Sequence, residues 1–165
     1  ITNIFLDLTV HENVALAVQA HAGNSFKFWK DARKDIELRQ PALRYLQQVG
    51  LEKRNEVLAE QLSHGEQRQL EIAMALATNP KLLILDEPMA GMGQKESSAM
   101  VKILQKLKGK LTILLIEHDM DVVFTLADQI TVLVNGRNIT TDRPEAIRNN
   151  PEVKAAYLGE GNLDA

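Results

Sequence analysis

Hydrophobic positions have helical spacing in the first half of this chain, whereas in the second half continuous apolar runs alternate with helical segments, so a helical half is followed by an α/β half. In the first half, apolar residues three or four positions apart predict helices after Thr9, within 31–49 and up to Pro80. Gly50 is expected to cap the second helical region, because glycine adopts a left-handed backbone at low cost. Pro41 is expected to begin a helix rather than to lie inside one.

In the second half, two almost uniformly apolar runs, 81–85 and 111–116, predict neighbouring parallel strands that are buried on both faces. A helix is expected between them over 94–108. Asn135-Gly136 separates two further strand-like segments and predicts a two-residue β-hairpin turn. We expect a helical subdomain, an α/β core and a C-terminal helical tail, over residues 1–80, 81–142 and 143–165.

The composition excludes several classes of function. Apolar residues make up 45% of the 165 residues, which is enough for a packed core and too much for a disordered chain. The net charge of −3 indicates no basic face, so nucleic acid is not an expected partner. The chain has no cysteine, which excludes disulfides, thiolate metal sites and a cysteine nucleophile. No apolar run approaches the length of a membrane span.

The segment from Leu82 to Pro88 carries the most informative chemistry, because a strand-like run delivers Asp86 and Glu87 side by side. Ligands of parallel sheets bind at the carboxyl ends of the strands. A magnesium ion with a nucleotide would relieve the repulsion between the two carboxylates, with Asp86 holding the ion and Glu87 activating a water molecule. Taken alone, the segment is equally compatible with a strand that ends in a polar turn.

The run Ser63-His64-Gly65-Glu66 begins the clearest helix of the first half. Ser63 and Glu66 have the spacing of a capping box, and Gly65 permits close approach of another backbone. A helix N-terminus with a serine hydroxyl and free N–H groups can cradle a phosphate. An ordinary capping box has the same pattern, so this signal is weak by itself.

His118 follows the second strand, and parallel pairing would bring it to the same sheet edge as the two carboxylates. There a histidine can donate a hydrogen bond to a terminal phosphate or contact the attacking water. An isolated histidine at this position could equally cap a helix or lie in a core. The order and spacing of all three signals favour a nucleotide site over three separate structural explanations.

These motifs together resemble those of ABC transporter ATPases, which are P-loop NTPases with an α/β core. Ser63 and its neighbours resemble the family's signature, and Leu82–Pro88 resembles its Walker B strand. Ala90-Gly91-Met92-Gly93 falls where the D-loop lies, and His118 matches the switch histidine. The likeness is strongest to the ATP-binding subunits of branched-chain amino acid importers, in 5–10, 67–73, 86–92 and 156–159.

The resemblance implies a role for each motif residue. It implies Glu87 as the general base, His118 as a phosphate contact and Asp86 as the Mg²⁺ ligand. It implies nucleotide contacts from the signature and the D-loop, namely Ser63, His64, Gly65, Glu66, Gly91 and Gly93. The implied cofactors are ATP and Mg²⁺.

The sequence departs from the family pattern at three places. His64 and Glu66 replace the commoner glycine and glutamine of the signature, and Gly93 stands where many D-loops carry aspartate. The phosphate-loop pattern G-x-x-x-x-G-K-[ST] does not occur. The chain therefore resembles a fragment, the C-terminal two-thirds of such a subunit without its Walker A and Q-loop, and is expected to be inactive alone.

The expected function is ATP hydrolysis that drives import of a small solute, with branched-chain amino acids as the expected class. The resemblance implies a second ATP-binding subunit and membrane permease subunits as partners, at the cytoplasmic face of the inner membrane. A solute-binding protein would be only an indirect partner. An aromatic cluster, Phe26, Phe28 and Trp29, either packs on the next helix or forms a docking surface. Two alternatives remain, a non-transport ABC ATPase and a non-catalytic docking module.

Overall fold

The computed structural model describes residues 4–21 and 36–158, and the side chains of 36–39 and 157–158 are not part of that description. The predicted aromatic cluster of Phe26, Phe28 and Trp29 therefore lies outside the described residues. The chain forms two compact units, Ile1–Ile116 and Glu117–Ala165. The domain bounds expected at 80/81 and 142/143 stay predictions.

Three helices form the core of the first unit, namely α1 (Val10–His21), α2 (Ile36–Val49) and α3 (His64–Ala77). Each of the three packs against the other two. Their shared interior consists of aliphatic side chains that are almost completely buried, including Val10, Val14, Leu46, Val49 and Leu70. This interior gives the N-terminus of α3 a rigid support.

Local sequence signals set the helix ends. Thr9 caps α1 through a capping box, since its hydroxyl accepts the Glu12 N–H at 3.1 Å while Glu12 Oε2 accepts the Thr9 N–H at 2.9 Å. Gly50 follows α2 with φ of 79°, as expected of a glycine cap. The prediction for Pro41 was wrong, because this proline lies inside α2. It lies in the second turn, where the missing N–H removes one hydrogen bond near the helix start and leaves the later turns intact.

Two parallel strands complete the first unit, β1 (Leu82–Asp86) and β2 (Thr112–Ile116), and α4 (Gln94–Leu107) connects them. The register pairs Leu82 with Thr112 and Asp86 with Ile116. The predicted parallel neighbours are therefore confirmed.

The prediction that both strand faces are buried was wrong. Leu83 is buried, but Ile84 is 59% exposed and Leu114 is 50% exposed. Successive strand side chains point to opposite faces, and the described elements cover only one of them. An apolar run shows that both faces tolerate burial, whereas actual burial depends on what packs there.

The second unit is built around a β-hairpin. Helix α5 (Met120–Leu126) precedes β3 (Ile130–Val134), which pairs antiparallel with β4 (Arg137–Asp142). Asn135 and Gly136 both have positive φ, 50° and 74°, which the two-residue turn requires. Two short helices follow, α6 and α7, over Pro144–Asn149 and Pro151–Val153. A buried aliphatic cluster joins the hairpin to these helices through Ile130, Val132, Ile147 and Val153.

Candidate functional site

The carboxyl end of β1 presents the two predicted carboxylates. Asp86 is the last residue of the strand, and the Glu87 N–H donates to the Ile116 carbonyl of β2 at 2.9 Å. Glu87 has φ of 44°, in the left-handed region that non-glycine residues rarely adopt. Such a conformation costs about 1–3 kcal/mol and is typical of functional sites. The sequence does not predict this backbone conformation, because glutamate has no preference for it.

Both carboxylates are exposed in the first unit. Water can therefore solvate both carboxylates in the first unit, which lowers the cost of placing two negative charges side by side. Pro88 and Met89, directly after them, are buried and anchor the turn. The Ala90 N–H donates to the Glu87 carbonyl at 3.1 Å, which closes that turn.

A cleft of about 670 Å³ lies beside β1, and Asp86 is part of its wall. The other polar residues of the wall include Arg68 and Glu71, which form a salt bridge of 2.8 Å. The positive charge of Arg68 in this wall is thus paired with the carboxylate of Glu71.

Asp86 fits a magnesium ion that arrives with a nucleotide. No group of three or more His, Asp or Glu side chains that could hold a metal occurs within 4–21 and 36–158. Mg²⁺ commonly keeps several waters and takes only one or two carboxylates together with substrate phosphates. A single exposed carboxylate at the end of a parallel strand matches that mode of binding.

The N-terminus of α3 has the predicted cap. Ser63 Oγ accepts the Glu66 N–H at 3.3 Å, and the Ser63 N–H donates to Glu66 Oε2 at 3.0 Å. Glu66 also contacts Arg54, whose Nε lies 3.1 Å from Glu66 Oε1. The Glu66 side chain is thus engaged on both sides, while the Ser63 and His64 side chains are exposed.

The fold brings the D-loop segment against this helix start. A Cβ placed on Gly91 would lie 3.6 Å from His64 Cδ2, which is ordinary contact distance. Gly91 has φ of 74°, and Gly93 precedes the first residue of α4 as its N-cap. Two predicted nucleotide-binding segments that are far apart in sequence therefore form one surface of the first unit.

Glu96, which lies outside all of the motifs, joins the two segments. Ser63 Oγ donates to Glu96 Oε1 at 2.8 Å, and the Gly93 N–H donates to Glu96 Oε2 at 3.3 Å. The Ser63 hydroxyl, followed by the Gly93 N–H, lowers the pKa of the Glu96 carboxyl below its ordinary value of 4.5. The Gly65 N–H and His64 act in the same direction, and desolvation opposes them. Gly93 has no side chain and cannot complete a capping box with Glu96, and nothing local points to the bond between Glu96 and Ser63.

His118 lies two residues beyond β2, at the start of the second unit, and is exposed. Its neighbour Asp119 caps α5, since Asp119 Oδ1 accepts the N–H groups of Asp121 and Val122 at 3.0 and 3.2 Å. The placement of His118 relative to Glu87 stays a prediction.

The sequence matches two models of known protein families. The family model described as ABC transporter matches residues 2–90, which is more than half of the chain. The chain belongs to the ABC transporter family. A second family model, described as branched-chain amino acid ATP-binding cassette transporter, matches residues 137–162. The resemblance drawn from the motifs is thereby confirmed.

Two curated relatives show which branch of the ABC family the chain is similar to. The high-affinity branched-chain amino acid transport ATP-binding protein BraF of Pseudomonas aeruginosa is 37% identical over 164 residues, which cover 95% of this chain. LivG of Escherichia coli K12, with the same description, is also 37% identical over 164 residues. The chain spans 64% of the length of each relative.

Solved structures confirm the fold class. The ADP conformation of MJ1267, an ATP-binding cassette of an ABC transporter, matches with a TM-score of 0.74 and 30% identity. The match covers 93% of this chain and 64% of that structure. The fold is that of ABC ATPases, a class of P-loop NTPases that binds nucleotide. Within the described residues, no helix combines the length and hydropathy that a membrane span requires.

Proposed function

We propose that this chain acts within an ATP-binding subunit of an ABC importer, which hydrolyses ATP to drive uptake of a small solute. By a complete subunit we mean these residues joined to a phosphate loop. The observation that carries the proposal is the position of Asp86 and Glu87 at the carboxyl edge of the parallel pair, with Glu87 in a left-handed backbone. The similarity to BraF and LivG supports branched-chain amino acids as the solute class.

Each of the three residues predicted to act in hydrolysis has a separate task. Asp86 would hold Mg²⁺, which when bound neutralises charge on the nucleotide phosphates. Glu87 would accept a proton at its carboxylate from the attacking water. His118 would hydrogen-bond the terminal phosphate. The rest of the catalysis is positioning, because phosphoryl transfer demands little covalent chemistry from the protein.

The signature surface would serve the nucleotide of a second subunit. The exposed N-terminus of α3 offers a serine hydroxyl and backbone N–H groups, and the helix dipole favours an anion there. Its contact with the carboxylate of Glu96 supports this use, because an anionic group already lies at that end. Two subunits would thus enclose the nucleotides between them, as the family resemblance implies.

The loop before α1 would contact a membrane permease. Phe5 is 55% exposed and Leu6 is 47% exposed, although the loop around them is held firmly. The Thr9–Leu58 β-bridge and the Val10 N–H to Val57 carbonyl bond of 2.9 Å tie the loop end to the helical core. An ordered loop with exposed apolar side chains suits an apolar protein partner. Through this contact the subunit would associate peripherally with the cytoplasmic face of the inner membrane, and a solute-binding protein would be only an indirect partner.

Reconstitution of the complete subunit with its permease tests this function. We expect ATP-dependent uptake of a branched-chain amino acid into liposomes and ATPase activity that rises when the permease is present. Leu6→Glu should reduce the permease-dependent increase, because a charge would be desolvated at the contact, while Leu6→Met should retain it. Copurification with DNA or ribosomes and no response to a permease would instead support a non-transport ABC ATPase.

A further inference from the structure

The hydroxyl of Ser63 has only one proton, and in this structure that proton is directed to Glu96. Ser63 Oγ accepts the Glu66 N–H at 3.3 Å and donates to Glu96 Oε1 at 2.8 Å. An ionised carboxylate can only accept hydrogen bonds, so the direction of the second bond is unambiguous. A phosphate oxygen is also acceptor-only and would need the same proton.

The carboxylate of Glu96 is held at the α3 N-terminus by more than the serine. The Gly93 N–H donates to Glu96 Oε2 at 3.3 Å, and a Cβ on Gly65 would come within 2.8 Å of the Glu96 carboxyl. Glu96 therefore fills the space next to Gly65 that a longer side chain on α3 would need. The low pKa of the Glu96 carboxyl agrees with an anion that these donors stabilise.

We propose that Glu96 is a positioning residue that sets the nucleotide affinity of the signature. Its carboxylate accepts the hydrogen bond of the Ser63 hydroxyl, and a nucleotide phosphate must replace the carboxylate as the acceptor of that bond. The proposal rests on the function proposed above, in which the signature binds the partner subunit's nucleotide. Glu96 acts through Ser63 and does not itself contact nucleotide.

Glu96 also bonds the last residue of the D-loop, Gly93. Glu96 lies in the first turn of α4 and also accepts the N–H of Gly93, the N-cap of that helix. When a phosphate accepts the hydrogen bond of the Ser63 hydroxyl in its place, the Glu96 carboxylate loses its strongest neutral donor. The negative charge of the phosphate also repels the carboxylate. The same carboxylate thus bonds both the Ser63 hydroxyl and the Gly93 N–H at the start of α4, so loss of the first bond would leave it held by the second.

The charge of Glu96 makes the proposal testable with small substitutions. Glu96→Gln keeps the size of the side chain but removes the repulsion and weakens the bond from Ser63, since charge-assisted hydrogen bonds are about twice as strong as neutral ones. In the complete subunit, we expect the Mg-ATP concentration for half-maximal ATPase rate to fall about two- to fivefold, the range expected for an exposed charge pair. The maximal rate should change less than this concentration does. Glu145→Gln, in the first turn of α6, is the matched control and should change neither.

The Ser63→Ala variant shows whether Glu96→Gln acts through Ser63 or only by removing a negative charge near the nucleotide. In Ser63→Ala, the proton is absent, so Glu96→Gln should lower the half-maximal Mg-ATP concentration by less than it does in the wild type. An equal fall in both backgrounds would overturn the role through Ser63. An unchanged or higher half-maximal concentration in Glu96→Gln with intact Ser63 would overturn the proposal as a whole.

A measurement without nucleotide distinguishes the failure of this inference from that of the proposed function. Carboxyl ¹³C NMR titration of Glu96 should show a pKa that rises towards the ordinary value in Ser63→Ala, and an unchanged pKa would overturn the Ser63–Glu96 contact. If that pKa rises but no variant of the complete subunit binds Mg-ATP, the proposed function is wrong, and the affinity role of Glu96 is overturned with it.

Discussion

Asn13 and Phe5 are joined by two hydrogen bonds in opposite directions. Asn13 Oδ1 accepts the Phe5 N–H at 2.8 Å, and Asn13 Nδ2 donates to the Phe5 carbonyl at 2.9 Å. Asn13 Nδ2 also donates to the Thr9 carbonyl at 3.0 Å. Asn13 is fully buried, whereas the Phe5 side chain is mostly exposed. One buried side-chain amide of α1 therefore holds the backbone of the loop from which the Phe5 side chain projects.

Removal of this amide should destabilise the protein and loosen the loop. We expect Asn13→Ala to lower the free energy of unfolding by about 1–3 kcal/mol, because buried polar groups lose their partners. Urea unfolding measures that change, and amide hydrogen exchange at Phe5 should become faster. Asn149→Ala, whose amide lies at the exposed end of α6, is the control and should stay within about 0.5 kcal/mol of the wild type. A similarly small change for Asn13→Ala would contradict the structural role of the amide.

Gly65→Ala tests the close contact between α3 and Glu96. In a helix interior, alanine is more stabilising than glycine by about 1 kcal/mol, which is the upper bound for Gly65 at the second position of α3. Here the new Cβ would meet the Glu96 carboxyl at 2.8 Å, so the carboxyl must move and lose its bonds to Ser63 and Gly93. We expect Gly65→Ala to bring little or no gain in the free energy of unfolding. In the Glu96→Ala background, the same substitution should be more favourable, and equal effects in both backgrounds would argue against the contact.

The lowered pKa of Glu96 predicts how its contribution to stability varies with pH. A carboxyl with a lower pKa in the folded state stabilises the protein at pH values above its unfolded value, which is about 4.5. That contribution is lost as the pH falls through the lowered, folded-state pKa. The difference in unfolding free energy between wild type and Glu96→Gln should therefore shrink from pH 6 to pH 3 in urea titrations. Glu145→Gln should show no such trend, and a pH-independent difference for Glu96→Gln would refute the prediction.

Ser63→Arg tests the proposed use of the α3 N-terminus. The larger side chain would occupy the space through which a phosphate approaches the helix N–H groups. We expect it to weaken ATP-driven dimerisation of the complete subunit in sedimentation experiments, while Ser63→Thr, which keeps the hydroxyl, should dimerise more nearly like the wild type. Equal dimerisation by the arginine variant would remove this surface from the nucleotide site.

The sequence was sufficient for features that depend on neighbouring residues. The Ser63–Glu66 capping box is confirmed, because the side chain and the N–H that it bonds are only three residues apart. The helix predicted after Thr9 is confirmed as well, and its start is capped locally by Thr9 and Glu12. The hairpin at Asn135-Gly136 is confirmed for the same reason, since the turn geometry selects the residues at its two positions.

Features that depend on distant parts of the chain were not predictable. Glu96 bonds to Ser63 across 33 positions of sequence, and only the packing of α4 beside α3 brings them together. The exposed face of β1 and β2 likewise depends on which elements cover it, and an apolar sequence cannot report that. The position of Pro41 inside α2 also departs from the local preference of proline for the first helical position.

One substitution tests most directly whether Glu87 is the general base of an ATPase. Turnover and Mg-ATP binding should be measured side by side for the complete subunit and its Glu87→Gln and Glu145→Gln variants. We expect Glu87→Gln to lower turnover by about 100-fold or more with Mg-ATP binding retained, because an amide cannot accept the proton of the attacking water. Glu145→Gln should match the wild type in both measurements. Near-normal turnover by Glu87→Gln would contradict the proposed mechanism.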